Sequence, residues 1–299
     1  MAVYLPPNGC RGPLRLQTPA KINLFLSVSG RRDDGYHEIC TLICAIGLFD
    51  MVTLTLECGP PEILVRCPHP EVPEDHRNLA WQAANRFFEE LEPGIGSCSG
   101  RLEIVIDKKI PVGGGLGGGS SDAAAILKSL NGIFDQPFDT RHLERMATRL
   151  GADVPFFIQA QPVVATGIGE QLRVYPHLPQ YHVLLVYPGW GVSTAAVYKK
   201  LNLGLTKCQK QLKNFLFKNE KFKINRHLCN DLERATFSIY PDLENIKKLL
   251  IQQGALGAAM SGSGATIFGL FDDKEAARKA ELFLQAQRSW CVQVVELLV

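Results

Sequence analysis

The sequence predicts an α+β fold in two domains, the first over residues 1–175 and the second over 176–299. Two patterns predict it. Arg101 to Ala125 reads as an alternating strand, a glycine loop and a helix. The last third reads strand, helices, strand, strand, helix, strand, the order of a ferredoxin-like α+β layer. With 299 residues, 46% of them hydrophobic, the chain has apolar material for such a core.

In chain order, residues 1 to 13 hold three prolines and two glycines and predict a loose arm. Leu14 to Gly30 reads as strand broken by Pro19, with Lys21 and Asn23 on one side of it by period two. A lysine in so apolar a strand is either an edge residue or a functional one. The turn RRDDGYH (Arg31 to His37) leads to strands at Glu38–Leu48, Met51–Glu57 and Ile63–Cys67. A helix from about Asn78 to Leu91 carries an apolar stripe at 79, 83, 87 and 91, with Asn78 as N-cap. After the glycine loop a helix runs from about Ser120 to Asn131. Another, Thr140 to Leu150, stops at Gly151. Asp153 follows in GADVPFF, where capping a short helix would explain it without further role. Strands come near Pro162–Thr166 and Gln171–Tyr175, and PHLPQ (Pro176 to Gln180) reads as a hinge.

Beyond the hinge, HVLLVYP is a strand, Thr194 to Leu201 a helix, and Leu203 to Asn225 a lysine-rich, partly irregular insert. Helices follow at about Asn230–Ser238 and Asp242–Gln253. Strands Ala255–Met260 and Ala265–Phe271 flank a second glycine loop, SGSGA. A helix (Lys274–Gln287) and a last strand (Cys291–Leu298) close the chain. Asn230 and Asp231 fit a helix cap as well as a ligand contact.

A net charge of +2, from 32 basic and 30 acidic residues, gives no reason to expect nucleic acid or an anionic membrane as partner. The nine cysteines are scattered without a CxxC pair, which predicts reduced intracellular thiols. The N-terminus lacks the pattern of a signal peptide. The most apolar run, Ile39 to Phe49, is too short to span a bilayer. The expectation is a cytoplasmic protein. His37, Cys40 and Cys44 lack a fourth ligand and a common strand face, so they do not predict zinc.

Six of the nine residues from Pro111 to Gly119 are glycine, and Ser120 and Ser121 lead into the helix. Glycines let backbone approach a ligand, and the helix start beyond them offers unpaired N–H groups and partial positive charge. The loop is predicted to hold phosphate; a flexible linker would need neither the strand before nor the helix after. A P-loop fails because no lysine follows the glycines. The dinucleotide fingerprint is met formally by Gly113, Gly115 and Gly118, but no second strand with an acid follows. A protein kinase would need HRD and DFG, which are absent.

PVGGGLGGGSSDAAA resembles the second motif of the superfamily of galactokinase, homoserine kinase, mevalonate kinase and phosphomevalonate kinase. PAKINLFL (Pro19 to Leu26) resembles its first motif and MSGSGATIFG (Met260 to Gly269) its third, in the same order. PAKINLFLSVSGRRDDGYHEI, GGGLGGGSSD, GADVPFF and CNDLE together are similar to the branch that phosphorylates 4-diphosphocytidyl-2-C-methyl-D-erythritol with ATP, in the non-mevalonate isoprenoid route. The resemblance covers nearly the whole chain. It implies an N-terminal domain like ribosomal protein S5 domain 2 and a ferredoxin-like C-terminal domain, with ATP and substrate between them.

By that resemblance Asp153 is the catalytic base and Lys21 the cation beside it. Pro111, Gly113, Gly114, Gly115, Leu116, Gly117, Gly118, Gly119, Ser120 and Ser121 hold the ATP phosphates; Asn78, Leu79 and Lys108 lie at adenine. Either serine could touch Mg²⁺. Tyr36, His37 and Tyr198 recognise the cytosine. Asn23, Thr194, Ser261, Gly262 and Gly264 line the rest of the substrate site. Stacking and ring hydrogen bonds suit a flat base with polar edges. A monomer or weak homodimer is expected. The rival readings are a mevalonate- or homoserine-type kinase, or a non-catalytic nucleotide-binding regulator. The lysine-rich insert and the N-terminal arm carry no role legible in the residues.

Overall fold

The computed structural model describes residues 3–6, 9–92, 99–208, 220–287 and 289–299. The chain forms two compact units that interleave along the sequence. The first holds residues 1–20, 48–112 and 117–160; the second holds 21–47, 113–116 and 161–299. The sequence was read with a single cut at 175/176, whereas two long strands each pass from one unit to the other. These are β1 (Arg11–Arg31) and β2 (His37–Cys58). Neither Pro19 in β1 nor Asp50 in β2 ends its strand.

In the first unit, Met51–Cys58 of β2 pairs antiparallel with β4 (Gly100–Asp107), and β4 pairs parallel with β3 (Glu62–Arg66). Helices α1 (Leu79–Glu90), α2 (Gly118–Ile133), α3 (Thr140–Leu150) and α4 (Val154–Gln159) pack together. Their core is aromatic: Phe87 meets Phe88, Phe134 and Phe138 with ring centroids 5.4 to 5.7 Å apart. Such tilted and edge-on pairs add to the area buried. The described part of the N-terminal arm is not loose. Val3 and Leu5 are buried, and Val3 O accepts the Gly100 N–H.

In the second unit, Ile39–Ile43 of β2 pairs with β5 (Val163–Gly167), and β5 with β6 (Gln171–Val174). A four-stranded antiparallel sheet is built from β7 (His182–Tyr187), β9 (Gly257–Met260), β10 (Ile267–Phe271) and β11 (Cys291–Leu298). Its spatial order is β11-β7-β10-β9, as a ferredoxin-like layer requires. The intervening helices are α5 (Thr194–Lys200), the short α6 (Ile224–His227), α7 (Glu233–Ile239), α8 (Pro241–Gln252) and α9 (Lys274–Gln287). Leu243, Ile246 and Leu250 of α8 and Ala277, Ala280 and Leu284 of α9 share one core with Leu184, Val186, Ile267 and Phe271 of the sheet. Their spacing of three and four is the helical stripe visible in the sequence.

Where α7 was expected to start at Asn230, the chain instead forms β8 (Cys229–Asn230), parallel to Phe25 and Leu26 of β1. Much of the lysine-rich insert, 209–219, lies outside the described residues. No helix among the described residues is long and apolar enough to cross a membrane.

Candidate active site

The first half of the glycine loop belongs to the second unit, and its carbonyls are pinned one after another. Gly113 O accepts the Val192 N–H (3.3 Å), Gly114 O the Thr266 N–H (3.1 Å), Gly115 O the Ser261 hydroxyl (2.9 Å) and Leu116 O the Lys21 N–H (2.9 Å). In a trans peptide the N–H points opposite to the carbonyl. The N–H groups of Gly114, Gly115 and Leu116 are therefore turned away from these anchors. Gly113, Gly115 and Gly117 have positive φ, while Gly114 and Leu116 do not. That alternation is the backbone pattern of an anion nest.

The close approach is severe at Gly115. A Cβ there would lie 2.2 Å from Ser261 O and 2.9 Å from Gly264 O. The same unit brings Gly191 against Gly113, and a hydrogen bond of 2.8 Å joins the Thr194 and Ser263 hydroxyls. Gly113–Leu116, Gly191–Thr194 and Ser261–Gly264 thus converge.

The Asn230 side chain holds the third of these segments. Its amide donates to Met260 O (2.8 Å) and Gly262 O (2.7 Å), and its Oδ1 accepts the Leu232 N–H. Neither sequence reading of Asn230, helix cap or ligand contact, describes this role. Asn230→Asp would set a carboxylate against two carbonyl oxygens. Its expected cost is about 2–3 kcal/mol, read from the denaturant midpoint; an unchanged midpoint would mean the amide does not hold the segment. Asp231 is equally committed. It accepts N–H groups from Val28, Lys207 and Cys208.

Lys21 is 3% exposed and its Nζ donates to Asn23 Oδ1 at 2.7 Å. Asn23 in turn donates to Thr41, and Thr41 to Phe25 O. A lysine so buried is no edge residue, and a buried amine needs a polar partner such as Asn23 Oδ1. His37 opens β2, and its ring faces that of Tyr198 with centroids 4.8 Å apart and a 33° tilt. Burial, with the nearby Arg31 charge, lowers its pKa below the ordinary histidine value. The imidazole is therefore neutral at pH 7, with one nitrogen to donate and one to accept. Tyr36 is 61% exposed.

The second half of the loop belongs to the first unit. Gly117 caps α2, and Gly118 is so crowded that a Cβ would lie 2.9 Å from Lys108 Nζ. Gly119 lies beside Leu79, where a Cβ would meet only Leu79 Cδ1, at 3.8 Å. Asn78 caps α1 as expected. Its Oδ1 accepts the Ala80 N–H and its amide donates to Pro73 O. The Ser121 hydroxyl is buried at the start of α2 with no hydrogen-bond partner among the described residues. Asp153 precedes α4 but its side chain does not cap it.

Lys108 is not a free surface lysine. Its Nζ lies 2.5 Å from Asp50 Oδ2 and 3.0 Å from Asp122 Oδ2, with its side chain 6% exposed. Burial opposes its charge, but the two carboxylates outweigh burial and raise its pKa. Burial raises the Asp122 pKa while Lys108 pulls it down. Asp50 and Asp122 were missed in the sequence. Asp50 stands just past the apolar run Ile39 to Phe49, and Asp122 lies in the helix that follows the loop. An acid midway along an otherwise apolar strand was the available signal.

One expectation about cysteine fails. Cys208 and Cys229 form a disulfide, although scattered cysteines predicted thiols throughout. β8 and Asp231 bring together two positions 21 apart in sequence. Burial pushes the thiols of Cys40 and Cys44 up to about 12. Among the described residues, the one group with metal-like spacing is Cys208, Cys229 and Asp231. Its sulfurs are joined and its carboxylate accepts backbone N–H groups, so it does not offer ligands.

The family model described as GHMP kinases N terminal domain matches residues 78–161, and that described as GHMP kinases C terminal matches 216–288. A 4-diphosphocytidyl-2-C-methyl-D-erythritol kinase of Pelobacter propionicus is 42% identical over 285 residues, 95% of this chain and 99% of the relative. A crystal structure of 4-(cytidine 5'-diphospho)-2C-methyl-D-erythritol kinase superposes with a TM-score of 0.74 at 32% identity, covering 94% of this chain and 99% of that one. Homoserine kinase from Cytophaga hutchinsonii gives a TM-score of 0.73 at 20% identity, covering 95% and 94%. That second likeness concerns the fold alone.

Proposed function

The chain belongs to the 4-diphosphocytidyl-2-C-methyl-D-erythritol kinase family, within the GHMP kinases, and on that footing we propose the reaction, the cofactors and the residue roles. It is an ATP-dependent phosphotransferase. It transfers the γ-phosphoryl group of ATP to the 2-hydroxyl of 4-diphosphocytidyl-2-C-methyl-D-erythritol, in non-mevalonate isoprenoid precursor synthesis.

The observation that carries the reading is the row of pinned carbonyls from Gly113 to Leu116, which turns successive N–H groups outward. Donors of that kind suit phosphate oxygens. The start of α2, with Ser120 and Ser121, adds the partial positive charge of a helix terminus. The unpartnered Ser121 hydroxyl fits a ligand for Mg²⁺ or for phosphate. Mg²⁺, when bound, offsets phosphate charge. Asn78, Leu79 and Lys108 border the adenine.

Asp153 accepts the proton of the acceptor hydroxyl. Lys21, held by Asn23, offsets negative charge as the hydroxyl loses its proton. His37 hydrogen-bonds an edge of the cytosine; Tyr36 and Tyr198 supply stacking surface. Thr194, Ser261, Gly262 and Gly264 lie along the rest of the substrate. The pairing of His37 with Tyr198 favours a nucleobase over mevalonate or homoserine, which have no ring to stack.

The test offers the purified protein ATP, Mg²⁺ and, separately, the cytidyl substrate, mevalonate and homoserine, and follows ADP release. Turnover with the cytidyl substrate alone is expected. Turnover only with mevalonate or homoserine would overturn the substrate. Tight ATP binding without turnover would leave a nucleotide-binding regulator.

A further inference from the structure

The buried charges around Lys108 deserve a role beyond stability. Asp50 is fully buried. Its Oδ1 accepts the N–H groups of Lys109 (2.6 Å) and Ile110 (2.8 Å), just ahead of the glycine loop. Its Oδ2 takes the Lys108 ammonium. Beyond the loop, Asp122 of α2 takes the same ammonium through Oδ2 and the Thr18 hydroxyl through Oδ1, at 2.7 Å. The chain entering the loop and the chain leaving it are therefore tied to one cation. At Gly118 that cation and Asp50 Oδ2 leave no space for a Cβ.

Stability alone does not account for such an arrangement. Burying two carboxylates with one ammonium is costly, and apolar replacements of buried ion sets are often neutral or stabilising. What the charges supply is direction. Each bond has one geometry, and together they determine where the loop's two stems stand.

We propose that Asp50, Lys108 and Asp122 are positioning residues, a charge clamp that holds both stems of the glycine loop and thereby sets its affinity for the phosphates of ATP. The proposal rests on the nucleotide-binding reading above. It gives Lys108 an action through the loop backbone, by way of its ammonium.

The test compares Asp122→Ala, Asp122→Asn and Thr18→Val with the wild type, by melting temperature, by KM for each substrate and by calorimetry with ADP. Asp122→Ala frees the α2 side of the clamp. It should raise KM for ATP and the ADP dissociation constant about tenfold, with KM for the acceptor within about twofold. Asp122→Asn keeps an acceptor for Lys108 and lets the Thr18 hydroxyl turn round to accept from its amide. It should return KM for ATP to within about threefold of wild type.

A folded Asp122→Ala that binds ADP as the wild type does would overturn the clamp. So would equal loss of affinity for both substrates. Where Asp122→Ala does not fold, Thr18→Val decides: a KM for ATP raised about threefold supports the clamp, and an unchanged one overturns it. A wild type that binds no ADP would overturn the nucleotide reading itself, a result distinct from any of these.

Discussion

Asp153→Asn is expected to lower kcat by about 10²–10⁴-fold while ATP binding stays within about threefold. The change keeps the size of the side chain and removes its ability to take a proton. Its backbone setting argues for a precise position. Asp153 lies two residues after Gly151, whose carbonyl accepts the Val154 N–H, and precedes a short helix whose first five residues, Val154 to Ile158, are buried. Because the side chain does not cap that helix, the substitution removes no cap. A phosphoryl transfer with a loose transition state needs little early proton removal, which places the expected loss toward the smaller figure. Steady-state kinetics with nucleotide titration checks it. Equal losses in kcat and in nucleotide affinity would remove Asp153 from proton transfer.

Gly115→Ala is expected to cost about 2–5 kcal/mol of stability and to abolish most turnover. Two terms add. An L-residue at φ +75 costs about 1–2 kcal/mol, and overpacking costs about 1–3 kcal/mol. The crowding atoms are backbone, Ser261 O and Gly264 O, so no side chain can swing aside. The segment that would have to move is held by Asn230 at Met260 and Gly262. Gly119→Ala is the matched control. It has ordinary φ and no atom nearer than 3.8 Å, and in a helix it should gain about 0.5–1 kcal/mol. If Gly119 lies against phosphate, its variant still loses ATP affinity while its stability rises. Thermal melts and KM for ATP, measured on both variants, separate packing from ligand contact. A Gly115→Ala protein as stable as the wild type would refute the crowding argument.

How much could be read in advance differs from element to element. The stripe in α1 was legible because burial on a helix face leaves a period in the sequence, and α8 and α9 were legible as helices. Asn78 was legible as a cap because capping is local: donor and acceptor are two residues apart. β1 and β2 were read as broken, since Pro19 and Asp50 are locally unfavourable inside strands. Both strands continue past those residues, and Asp50 is satisfied by Lys108, Lys109 and Ile110, about 60 positions away. Asn230 misled in part: it makes the local bond a cap would, accepting the Leu232 N–H, but its amide is committed to Met260 and Gly262, about 30 positions away.

The sequence by itself determined most of the order of elements, the glycine loop, and the motifs that mark the family. Side-chain period, glycine content and motif order are all properties of neighbours along a chain. Tertiary structure alone decided that the loop's carbonyls face protein and its N–H groups do not, that Lys21 is buried rather than on an edge, and that Lys108 sits between two acids. It also decided that Cys208 meets Cys229. The loop's anchors, the Lys108 pairs and the disulfide join partners 14 to 152 residues distant. Hydrogen bonds and charges act over a few ångströms of space, so only the folded chain can say which residues share them.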